Sequence, residues 1–75
     1  MSLFEAKINT ECVISSITIT DAKTKIHIME LGLVEGTSVQ VKKKSLLKNN
    51  LLITFNSLCF TINEEVAKGI QVNYA

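Results

Sequence analysis

One set of four side chains could in principle meet at a metal ion: Cys12, His27, Glu30 and Cys59. Thiolate and imidazole suit zinc or iron, and a carboxylate can complete such a set. Their spacing gives no support, because there is no C-x-x-C pair and only one histidine. Both cysteines fall in strand-like runs, where a free thiol usually serves as a small packing residue. The four stand as weak candidates for Fe(II) or another divalent transition metal, and no cofactor is expected. Catalysis has less to build on. A single histidine with no nucleophile and base at a recognisable spacing supports no triad, so no enzyme is expected.

Two further features invite chemistry. The stretch "LGLVEG" at 31–36 holds two of the three glycines in a chain without proline. A phosphate loop needs one more residue between its glycines and a lysine after the second. A helix N-terminus would also have to follow, whereas a strand pattern follows here. Gly32 and Gly36 therefore read as backbone devices. Lys42, Lys43, Lys44 and Lys48 form the one charge cluster. Small barrels can bind nucleic acid through basic strands joined to stacking aromatics, and a Lys42–Lys44 patch is the alternative function. Lysine is also a common edge blocker. Phe55 and Phe60 fall at inward parity, which leaves only Phe4 and Tyr74 for stacking.

The elements that must position these residues follow from periodicity. Residues 11–20, "ECVISSITIT", have strand composition. A parity break near Ser15–Ser16 implies a bulge or burial on both faces. Asp21 can cap a helix over "AKTKIHIMEL". Ala22, Ile26, Met29 and Leu33 line one face of it by the i, i+4, i+7 rule, and Ile28 and Leu31 form a second strip opposite. Gly32 occupies the position of a left-handed terminator.

Three alternating strands come next. Val39 and Val41 point inward in the first. A "KNN" turn at 48–50 leads to Leu51, Ile53 and Phe55 in the second. Asn56–Ser57 then leads to Leu58, Phe60 and Ile62 in the third. Asn63 can cap one helical turn, "EEVAKG", which Gly69 ends, and "IQV" is a short last strand. Five strands with this order predict a small mainly β domain: an SH3-like, partly open five-stranded barrel. Its helix follows the first strand, and a helical turn precedes the last.

The 75 residues allow one domain, 1–75, with no repeat or linker. Area scaling predicts a folded surface of about 4,600 Å², so the core must be efficient. Two cysteines make no disulfide framework. The N-terminus lacks the pattern of a signal peptide, and the apolar runs are too short for a membrane helix. A cytoplasmic protein without membrane insertion is the expectation. The net charge of +1 favours no class of partner.

The second helix strip, Ile28 and Leu31, joins Leu33, Val34 and the outward-parity Leu52 as an apolar group. It is either a partner-binding surface or ordinary core beneath the N-terminal segment "SLFEAKI".

The run "IHIMELGLVEGTSVQV" (26–41), the alternating hairpin after it and "AKGIQV" (67–72) resemble the ferrous iron transport protein A (FeoA) family. The matching residues are Leu31-Gly32-Leu33, Gly36, Val39 and Val41, then Ala67, Ile70 and Val72. The likeness runs from about Leu3 to Val72. His27-Ile28 stands where the family often has arginine and leucine, Glu35 where it often has proline, and Asn56 at a turn glycine. The resemblance implies a cytoplasmic accessory protein without enzymatic activity. Its partner would be a membrane ferrous iron transporter with a cytosolic GTPase domain, on which it docks and which it modulates. A homo-oligomer is compatible with this reading. A related domain in metal-dependent transcriptional repressors also works by protein–protein contact.

Overall fold

Alternation of apolar and polar residues builds the sheet, and a computed structural model, which describes residues 1–45, 47 and 49–75, places every predicted element. After a short 3-10 turn at Leu3–Glu5 come β1 (Glu11–Ile17), α1 (Ala22–Leu31), β2 (Ser38–Ser45) and β3 (Asn50–Phe55). Then follow β4 (Leu58–Asn63), α2 (Glu64–Lys68) and β5 (Ile70–Tyr74). The predicted turn at 48–50 lies partly outside the described residues, as does Lys48 of the lysine cluster.

The strands form one antiparallel sheet in the order β4-β3-β2-β1-β5. The register of β1 on β5 shifts between Ile14 and Ser16, at the predicted bulge. A second shift lies on β2 between Val41 and Lys43. Bulges sharpen local twist and let a short sheet curl. The curl leaves a seam between β4 and β5, which α2 bridges in sequence and by packing on both.

The concave side holds the core. Val39, Val41, Leu51, Ile53, Ile62 and Val72 are buried from the sheet, as the alternation predicts. Full burial of each such side chain is worth about 1.5–3 kcal/mol. Leu58 shares their parity but is 51% exposed, because it sits at the hairpin end beyond the core. The folded surface is 4649 Å², close to the scaling value.

The N-terminal segment contributes more than expected. Leu3 and Ala6 are fully buried. The Val72 N–H donates to the Met1 carbonyl at 2.8 Å, and Ser2 bridges to Gln71. Further along, the Asn9 N–H donates to the Val41 carbonyl at 2.8 Å. One short segment thus straps the outer edge of β5 and reaches β2.

Both helix starts behave as predicted. Asp21 Oδ2 accepts from the Thr24 N–H at 3.1 Å and from the Thr24 hydroxyl. Asn63 Oδ1 accepts from the Val66 N–H at 2.8 Å. Gly69 ends α2 with φ of −88°, which any residue could adopt. Its constraint is space, since a Cβ there would lie 2.5 Å from Ile19 Cγ1.

Candidate functional site

The "LGLVEG" stretch is a rigid corner. Gly32 takes φ of 103°, the left-handed region that favours glycine. The Leu33 N–H donates to the Ile28 carbonyl at 3.1 Å and the Gly32 N–H to the Met29 carbonyl at 3.0 Å. That pair of bonds is the Schellman motif, in which the residue after the glycine folds back on the last helical turn. The Thr37 N–H then donates to the Val34 carbonyl at 3.1 Å, closing a turn with Gly36 at φ 89°. The Gly36 N–H donates to the Ile14 carbonyl at 2.8 Å, and the Ile14 N–H to the Thr37 carbonyl at 3.0 Å, which lock the corner onto β1.

This corner corrects the expected surface. Leu33 is 0% exposed and Ile28 is 2% exposed, so both are core residues and neither can meet a partner. The reason is the Schellman contact, which pairs them and turns both inward. Leu31 is half-buried beside them, and Leu52 is half-buried on β3, paired with Thr61 and away from the corner. Val34 alone of the five expected residues is exposed.

The two strips of α1 have the opposite arrangement from a helix that buries Ile26 and Met29. Thr24, Ile28 and Leu31 face inward, spaced i, i+4, i+7. Ile26 is 55% exposed and Met29 49%. Met29 lies with Ile17, Val34 and Glu35 around a shallow depression of about 300 Å³. Ile26 adjoins it one turn earlier on the helix. The sequence hides this patch because its helical spacing is as regular as that of a core face.

The weak metal candidates scatter. Cys12 is buried on β1, and Cys59 is exposed on β4. His27 and Glu30 are exposed on α1. Among the described residues no three His, Cys, Asp or Glu side chains stand where they could share an ion. Burial, aided by the nearby Glu11 carboxylate, pushes the Cys12 thiol above its ordinary pKa, which disfavours the thiolate that a metal needs.

The lysines are partly engaged within the fold. Lys42 Nζ donates to Gln40 Oε1 at 2.8 Å. Lys44 Nζ lies 5.8 Å from the centre of the Phe4 ring, and Lys68 Nζ lies 5.3 Å from it. Phe55 and Phe60 stack on each other with centres 5.3 Å apart, so the sheet offers the lysines no free aromatic platform from that pair. The nucleic-acid alternative is not favoured.

Comparison with known proteins finds the same fold. A search of curated proteins finds no match. Among solved structures, the FeoA protein of Chlorobium tepidum superposes with a TM-score of 0.85 at 27% identity. That match covers 99% of this chain and 70% of the other. The zinc complex of FeoA from Stenotrophomonas maltophilia, described as an SH3-domain protein, superposes at 0.83 with 25% identity. It covers 97% of this chain and 89% of that one. A manganese-dependent transcriptional repressor shares the fold at a TM-score of 0.90 and 12% identity, over 99% of this chain and 40% of its own length. The family model for the FeoA domain matches residues 1–74. With the SH3-like sheet, the glycine corner and this match over nearly every residue, the chain belongs to the FeoA family.

Proposed function

We propose that this chain is an accessory protein of ferrous iron transport, acting in the cytoplasm. It docks on the cytosolic GTP-binding part of a membrane Fe(II) transporter and modulates it. Its family membership supports the transport role, and likewise a neighbour is named for FeoA at 27% identity. The observation that carries the docking reading is the exposed apolar patch of Ile26, Met29 and Val34 beside Ile17. Contiguous apolar area on a small domain marks an interaction site, and a few anchors carry most of the affinity. The rigid corner holds Val34 without a folding cost on binding.

The test is co-sedimentation of the purified protein with membranes containing the transporter. Met29→Glu and Val34→Glu place charges on exposed positions, so thermal unfolding should shift little. Each should weaken binding about thirtyfold, the scale of one lost anchor. Wild-type binding by both folded variants would remove the patch as the interface.

A further inference from the structure

We propose that the outer edge of β4, walled by α1, is an acceptor site for an extended acidic peptide that adds as a sixth strand. This site lies on the other side of α1 from the Ile26–Met29–Val34 patch and does not depend on the transporter reading.

The two ends of the sheet differ. At β5 the N-terminal strap covers the outer edge through Met1 and Ser2. At β4 the only backbone pairing among the described residues is with β3. Natural edges are usually protected by lysine, proline or a bulge. β4 reads "LCFTIN", with no charge and no proline, and its register on β3 is unbroken.

The hairpin phase says which groups are free. Asn56 and Ser57 form a two-residue connection with φ of 49° and 62°, the geometry of a type I′ turn. Phe55 and Leu58 then close the turn as a hydrogen-bonded pair, and so in alternation do Ile53–Phe60 and Leu51–Ile62. Cys59 and Thr61 consequently turn their N–H and C=O groups to the open edge, offering two donors and two acceptors at strand spacing.

Across that edge runs a groove of about 480 Å³ between α1 and β4. Leu31, Phe60 and Val66, each half-buried, give it an apolar lining where the core surfaces at the seam. Lys23 and His27 stand on its helical wall, and among the described residues no carboxylate lines it. Main-chain bonds to an edge supply affinity in strand addition, while flanking pockets supply choice. Here the choice is alternating apolar side chains for the lining and carboxylates for Lys23.

The test uses the whole ¹⁵N-labelled chain and three synthetic peptides. The first alternates valine and glutamate. The second carries N-methyl groups at alternate residues, which remove the edge hydrogen bonds. The third replaces glutamate with lysine. With the first peptide at ten times its Kd, amide exchange at Cys59 and Thr61 should slow about tenfold. The N-methylated peptide should give no slowing, and the lysine peptide should bind about two- to fivefold more weakly by loss of the Lys23 attraction. Lys23→Glu, at an exposed position, should reverse the preference between glutamate and lysine peptides. Unchanged exchange at Cys59 and Thr61, equal binding of all three peptides, or protection that grows with protein concentration without peptide would each overturn the proposal. The last would show a second copy on the edge.

Discussion

The residue scale separates two cysteines that the sequence treats alike. Cys12 is fully buried with its thiol pushed upward, and its Sγ lies 3.5 Å from the Thr10 carbonyl. Cys59 is exposed beside the open edge. A maleimide should therefore label Cys59 in the native protein and reach Cys12 only after denaturation, as peptide mass spectrometry would report. Equal native labelling would contradict the burial of Cys12. Strand composition predicts that both cysteines pack, yet parity alone decides which one does. Leu33 teaches a similar lesson. Its neighbours Leu31 and Gly32 announce a helix end, and the motif they form dictates an inward hydrophobe. Those same residues read as "surface turn" only if the glycine is taken as punctuation.

At the scale of elements, caps were legible and faces were not. Asp21 and Asn63 occupy the predicted cap positions because a short polar side chain before an apolar helix has few other uses. The face of α1 could not be read the same way. Five of its ten residues and the two after Gly32 are apolar or small enough to satisfy either strip. Only the corner that follows selects one. The Asp21 cap carries a pH signature. Bonds from the Thr24 hydroxyl and N–H hold its carboxyl below the ordinary value. A group whose folded pKa is depressed stabilises fully above its unfolded pKa and loses that contribution as pH falls through the folded one. Asparagine caps about as well but does not titrate. The Tm of wild type minus that of Asp21→Asn should therefore shrink as pH falls from neutral to below the ordinary carboxylate range. A difference that stays flat with pH would mean that the cap bond is not made by the ionised group.

At the scale of the whole molecule, strand number, order and inward parity followed from alternation, because a short sheet with one buried face leaves little freedom of register. The strap did not follow. "SLFEAK" has no period long enough to announce an element, and its partner β5 lies at the far end of the sequence. Leu3 shows what the strap contributes, being fully enclosed between elements distant in sequence. Leu3→Ala should cost about 2–5 kcal/mol, the range for emptying a large core site, with chemical denaturation as the measurement. A cost below about 1 kcal/mol would mean that the strap is collapsible and peripheral.

The strap also sets an order of events. Met1 and Ser2 lie along β5, and the Lys7 N–H donates to the Tyr74 hydroxyl at 3.1 Å. Residues 1–2 must wait for residues 70–74 to emerge before they find their places. Until then the nascent chain shows the β1 edge that β5 will occupy. Contacts between sequence extremes form late and slowly, and unpaired edges invite association while they last. The hairpins β2–β3 and β3–β4 are local and can form early. Completion of this barrel thus waits on the emergence of residues 70–74.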